Sequence, residues 1–206
     1  MVLNTTSYNT SFGETFTVNK FKYYISNIKA GGNGSAIAES NSNHLIDESV
    51  TASRSFAFEV EENTFSGIGF LLGVDSLRNV SGAQTGALDP LNDMFCTWNS
   101  GYVMAKMEGT SPQSNQFGNR IEYHLGGFSG PDNVVRQVNL NLPAPAVIKE
   151  GGSSEIVIDA DLNTWWQNPY DLKIVNLPVC TTPGPEAKKI TDNYSKMFSV
   201  SNVINN

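Results

Sequence analysis

The sequence predicts an all-β, or mainly β, fold: a two-sheet, immunoglobulin-like β-sandwich carrying a C-terminal helix. Three observations predict it. Segments of apolar/polar alternation recur about eight times between turn signals. Charged residues make up only 16% of the 206, against abundant Gly, Asn, Ser and Thr, a composition of strands and turns rather than of salt-bridged helices. After Pro183-Gly184-Pro185 the apolar period lengthens to helical spacing. The chain is long enough to bury a core without staples and reads as one domain over residues 1–206.

The first long strand is expected over residues 16–28. Phe21, Tyr23 and Ile25 alternate onto one face, and Lys20, Lys22, Tyr24 and Ser26 onto the other. A Gly-rich break follows at 30–35, then a polar loop, then a short apolar island at 44–47. Residues 56–60 alternate as a strand. Residues 65–74, with Gly67, Gly69 and Gly73, read as a buried strand with close backbone approach. Residues 75–92 form a long polar loop, and loops of that length in compact domains tend to be functional. Two strands, 94–98 and 102–108, flank Asn99-Ser100-Gly101. Strands follow at 120–125, 134–142 and 156–162, with a turn-rich connection at 143–152. Trp165-Trp166 is placed on a short helical turn. Ala187, Ile190, Tyr194, Met197 and Phe198 give the terminal helix, with Pro185 at its start.

The net charge of −7, without any Lys/Arg cluster, excludes nucleic acid and an anionic membrane surface as partners. The longest apolar stretch, 68–74, is too short for a transmembrane segment. The chain opens on the strand-like Met1-Val2-Leu3 with no signal peptide, and the reading is that a leader has been removed. Cys96 and Cys180 form either one disulfide, in an oxidising compartment, or two free thiols.

No nucleophile elbow, phosphate loop or dinucleotide fingerprint is present, so the chain is expected not to be an enzyme. Adjacent acids such as Glu61-Glu62 read as solvated edges. The segment 94–107 collects soft donors, Met94, Cys96, Met104 and Met107. Together with the two imidazoles, His44 and His124, they suit copper by ligand softness. The competing reading is that the methionines fill core and His124 is a hydrogen-bonded structural residue. Asp75, Asp89 and Asp93 flank the long loop as oxygen donors for calcium, against the simpler reading that they make turns.

A set of ordered blocks adds a resemblance. Phe21-Lys22-Tyr23-Tyr24-Ile25-Ser26-Asn27-Ile28, His44-Leu45-Ile46-Asp47, Gly73-Val74-Asp75 and Gly86-Ala87-Leu88-Asp89-Pro90 come first. Then follow Met94-Phe95-Cys96-Thr97-Trp98-Asn99-Ser100-Gly101-Tyr102, Lys106-Met107-Glu108-Gly109 and His124-Leu125-Gly126-Gly127. Together they resemble the MbnP-like domain family, named for a periplasmic copper-binding protein linked to methanobactin. The resemblance implies a periplasmic protein or outer-membrane lipoprotein of a Gram-negative bacterium, lipid-anchored through a removed N-terminus. It implies copper binding or handling and a di-haem peroxidase-like partner that oxidises a tryptophan. It implies a metal set of His124, Met94, Cys96 and His44, with Trp98 as the oxidative-modification site. Cys96 departs from the family, where an aromatic residue usually stands, and the resemblance makes Cys180 its disulfide partner. The family's usual first strand is expected to be missing.

Overall fold

A computed structural model describes the whole chain except Asn33, Gly34, Ser40, Trp98, Asn99 and Ser100, together with the side chains at positions 32, 35–37 and 97. The strands are β1 (Ser7–Asn9), β2 (Thr15–Gly32), β3 (Ser35–Ala38), β4 (Asn43–Asp47), β5 (Asn63–Leu72), β6 (Phe95–Thr97), β7 (Gly101–Thr110), β8 (Arg120–Gly126), β9 (Arg136–Ile148), β10 (Ser154–Ala160), β11 (Val179–Cys180) and β12 (Phe198–Asn205). Two short α-helices are α1 (Ser76–Asn79) and α2 (Pro185–Tyr194). The protein is therefore mainly β, as its alternation predicts.

Among the described residues the strands join into a ten-stranded sheet with the path β11-β8-β7-β2-β5-β9. On it β1, β3 and β4 pair with β2, and β6 pairs with β7. The strands β10 and β12 form a separate antiparallel ribbon. β2 organises the whole. Its first half pairs with β7 and its second half with β5, while β4 takes the opposite edge. Two irregularities let it serve both halves, one between Val18 and Lys20 and one between Ser26 and Lys29. A bulge inserts one residue and so reverses which parity faces inward. Phe16 and Val18 therefore share the buried side with Phe21, Tyr23 and Ile25, and Ile28 and Ala30 are buried again after the second shift.

The first bulge explains Gly109. A Cβ on that residue would run into Thr17 O, so only glycine allows β7 to close against the bulged strand. Gly73 is the other constrained glycine. Its φ of +114° lies in the left-handed region, and a Cβ would press on the Met104 side chain.

One side of the sheet carries the main core. Trp165 stands edge-on to Phe21 and Tyr123 and stacks on Tyr194 of α2, with ring centroids 5.8, 6.3 and 4.8 Å apart. Trp166 meets Phe16, and Phe198 of β12 meets Tyr23 and Phe70. The tryptophans lie on a 3-10 turn, Leu162–Trp166, as expected. On the other side Tyr24, Tyr102 and Met104, counted in the same core cluster, pack with Leu88 and Met94 of the segment 73–94. Tyr24 donates to Ala87 O and Tyr102 to Leu88 O, which ties that segment down.

Four element expectations are corrected. Residues 56–60 form no strand. Phe56 stacks on His44 while staying exposed and Phe58 packs against the core from an irregular stretch, so the alternation there arises from side-chain contacts without strand pairing. The stretch 143–148 is not a turn but the end of β9, with Pro143 and Pro145 in the bulge between its pairings to Gly67 and Phe65. That is where a strand tolerates a residue lacking N–H. The terminal helix ends at Tyr194, and β12 follows it, so Phe198 is a strand residue. Residues 2–3 precede the first strand rather than forming one.

Candidate functional site

The strand register assembles a polar row on the side of the sheet away from the tryptophans. Asp47 stands opposite Lys22, Lys22 opposite Lys106, and Lys106 opposite His124. Directly opposite residues share a face, so all four side chains emerge on one side. Lys20, Glu108, Glu122 and Arg120 extend the row along the same strands by the two-residue period.

The lysines converge on one point of the covering segment. Lys20 Nζ lies 2.8 Å from Asp93 Oδ2, and Lys106 Nζ lies 3.0 Å from the same oxygen. Lys106 Nζ also donates to Asp93 O, and Lys22 Nζ donates to Asn92 O at 3.2 Å while pairing with Asp47 at 2.9 Å. Lys106 is 4% exposed, so its charge is held almost entirely by Asp93. Asp93 itself sits in the left-handed region, with φ 61°, at the C-terminal end of a 3-10 turn. The hydrogen bond from Lys20, aided by Lys106, holds its carboxyl down to about 2. Lys20 is raised in return, chiefly by the same bond.

His124 closes the far end of the row. Its Nε2 lies 2.8 Å from Glu108 Oε1 and 3.6 Å from Glu122 Oε1. Lys20 also reaches Glu108 at 3.3 Å, and Arg120 reaches Glu122 at 3.2 Å. Burial pushes the Glu108 carboxyl up, but the bonds from His124 and Lys20 outweigh it and leave it lowered.

The remaining sequence candidates lie elsewhere. His44 is opposite Ile25, on the core-facing parity of β4, whereas His124 belongs to the parity of Asp47; the two imidazoles leave opposite faces of the sheet. His44 stacks on Phe56 at 3.8 Å and 12°, and its Nε2 meets Glu39 at 2.9 Å. Met94 is fully buried, as are Met104 and Met107. Met104 Sδ accepts a hydrogen bond from Val74 N, so its sulfur is already engaged. Cys96 is exposed on β6, in a register irregularity. Trp98 lies outside the described residues.

The expected disulfide does not form: Cys96 and Cys180 are both free. Cys180 pairs with Tyr123, which pairs with Met107, while Cys96 lies beside Tyr102 of the same β7. Five residues of strand, about 16 Å, therefore separate the two levels. A disulfide needs Cα atoms within about 7 Å. Burial pushes the Cys180 thiol up to about 11, which keeps it inert.

The calcium expectation is also corrected. Asp75 caps α1 through Arg78 N, Asp89 caps the next turn through Leu91 N, and Asp93 is spent on the lysines. Among the described residues no three His, Cys, Asp or Glu side chains form a group able to hold a metal.

The blocks that lie apart in the sequence are adjacent in space. The described residues of the blocks 94–102, 106–109 and 124–127 fall on or beside β6, β7 and β8, with Val103 opposite Gly126 and Lys106 opposite His124. A family model described as MbnP matches residues 1–182. The chain belongs to the MbnP family. Among solved structures, MbnP from Methylosinus trichosporium matches with a TM-score of 0.52 at 12% identity, over 93% of this chain and 89% of that one, which speaks for the fold alone. No curated protein matches the sequence. The MbnP match stops before α2 and β12, yet Ile190, Tyr194 and Phe198 from those elements belong to the same core cluster.

Sequence reading missed Asp93 as the hub and Lys106 as its buried partner. The available signal was a lysine at the inward parity of a strand otherwise composed of buried residues. Its partner, 13 positions away in a loop, carries no local mark.

Proposed function

We propose that this MbnP-family chain is an extracytoplasmic metal-binding protein that handles copper and performs no catalysis of its own. The observation that carries this reading is the family match over residues 1–182, whose signature blocks lie side by side on β6, β7 and β8. The residues were tested for fit. Met94, Cys96, His44 and His124 do not fit a single copper ion. His124 lies beside Glu108 and Glu122, but among the described residues these three form no group able to hold a metal, and the two carboxylates are paired with Lys20 and Arg120.

On the same reading the protein resides in the periplasm or as an outer-membrane lipoprotein, its layering is that of an immunoglobulin-like sandwich, and a di-haem peroxidase-like protein is its partner, with Trp98 as the residue oxidised. No helix among the described residues is long and apolar enough to cross a membrane. The test is a titration of the purified protein with Cu(II), and with Cu(I) against a competing chelator, beside His124→Ala and Cys96→Ser. Saturable copper binding that weakens in His124→Ala supports the reading. Binding no tighter than in that variant overturns it.

A second reading is a partner-binding surface domain that no longer holds metal. It is favoured by the two imidazoles leaving opposite faces and by the compensation of His124's carboxylates by Lys20 and Arg120. Absence of copper binding together with capture of a haem-protein partner through the 94–102 block would select it.

A further inference from the structure

One stretch of the cover over the tryptophan side belongs to no strand or helix. Residues 167–178 run from the 3-10 turn that carries Trp165 and Trp166 to β11. Among the described residues no backbone hydrogen bond joins 168–177 to a strand of the sheet. The backbone bonds they make are local: Leu172 N donates to Trp166 O, and Asn176 N and Leu177 N both donate to Lys173 O. The stretch is nevertheless packed down. Ile174 is buried in the main cluster, and Leu172 and Leu177 lie against it.

Side chains from three other parts of the chain hold it. Glu14, between β1 and β2, grips the middle. Ile174 N donates to Glu14 Oε2 at 2.8 Å, and Val175 N donates to Oε1 at 2.9 Å. Glu14 is 7% exposed, and among the described residues no cation pairs with it, so these two N–H groups hold its charge. Thr10 fixes Glu14 in turn: Thr10 N donates to Glu14 O, and Glu14 N donates to Thr10 Oγ1. Asn193 of α2 holds one end, accepting from Tyr170 N at 2.9 Å and donating to Tyr170 O at 2.7 Å. Tyr123 of β8 holds the other, its hydroxyl donating to Leu177 O at 2.8 Å.

From this arrangement we infer that residues 168–177 form a strap that opens as one piece, ahead of the sheet, with Glu14 as its latch. The strap shares no backbone bonds with the sheet, so its release breaks none of the sheet's own ladder. Opening costs the burial of Ile174 and the side-chain bonds. The pair to Glu14 is the strongest of those bonds, because its acceptor is charged. Opening also frees the Tyr123 hydroxyl. The inference does not rest on the copper reading.

Hydrogen exchange and native-state trypsin cleavage test it. In the wild-type protein the Ile174 and Val175 amides should be at least about tenfold less protected than those of Met107 and Tyr123, and their exchange should respond less to urea. Asp93→Asn removes bonds that survive in the open-strap form, so it should speed exchange in β7 and leave Ile174 and Val175 unchanged. Glu14→Gln keeps the side chain's size and one accepting oxygen but removes the charge. It should raise cleavage after Lys173, read as release of fragment 174–206, at least about tenfold. Melting curves check that each variant is folded, and the wild-type exchange pattern stands without any variant. The inference is overturned if Ile174 and Val175 match β7 in protection and urea response. Equal acceleration of both regions in Asp93→Asn, or unchanged cleavage after Lys173 in Glu14→Gln, overturns it as well.

Discussion

The two sides of β2 show how one alternating strand builds two different interiors. On one side Phe21, Tyr23 and Ile25 are covered by Trp165, Phe198 and α2, and the stabilisation is burial of aromatic area. On the other, Lys20 and Lys22 reach up to grip Asn92 and Asp93 through hydrogen bonds and ion pairs. The apolar side tolerates conservative change, because burial is not directional. The ionic side does not, because Lys106 is buried and its charge has Asp93 alone to answer it. The difference teaches that the segment leading into the 94–102 block is held by charge as well as by the packing of Leu88 and Met94 on Tyr24 and Tyr102.

Four measurements sharpen this contrast. Trp165→Ala should cost most, about 3–5 kcal/mol in urea denaturation, because a side chain 1% exposed leaves a cavity among Phe21, Tyr123 and Tyr194. An effect below about 1 kcal/mol would show the apolar side to be less closely packed than the ionic one.

Asp93→Asn should cost less, about 1–2 kcal/mol, since the carboxylate side chain is 60% exposed and partly screened. It should also flatten the acid limb of the stability curve. The folded carboxyl sits at about 2 against an ordinary 3.8. Its contribution is therefore complete above pH about 4 and is lost as the pH falls toward about 2. Denaturation midpoints that fall equally between pH 5 and 2 in wild type and variant would remove Asp93 from its role as hub.

His44→Ala should lower stability by only about 0.5–1 kcal/mol, the worth of one partly exposed stack and one hydrogen bond. Protease sensitivity of residues 55–61 should rise in the same variant if the imidazole pins Phe56. The smallest effect on stability belongs to Cys96→Ser, within about 0.5 kcal/mol for a surface site. Thiol labelling then separates the cysteines: Cys96 should react in the folded protein, and Cys180 only after unfolding. Failure of both to react in denaturant without reductant would restore the disulfide.

Much of the fold was legible because burial writes itself locally. Phe21-Lys22-Tyr23 and Ile121-Glu122-Tyr123-His124 declare their faces by period two, and Pro185 with Ala187 and Ile190 declares a helix start. The stretch 56–60 misled because alternation records side-chain contacts, and Phe56 and Phe58 make theirs with His44 and the core without any strand partner. β12 was read into the helix because Phe198 falls at the helical spacing of Tyr194 as readily as at a strand's start. The ligand candidates were legible as residue types only; nothing local distinguishes a buried Met94 from an exposed one.

By itself, the sequence determined the mainly β class, the side of each long strand that meets the core, and membership of a family through blocks whose order is unmistakable. Tertiary structure alone decided that β4 and β8 turn His44 and His124 to opposite faces, that the cysteines stand strands apart, and that Asp93 meets Lys106. Those outcomes depend on strand register and on bulges in β2 and β7, and register is a property of pairs of strands rather than of either strand's residues.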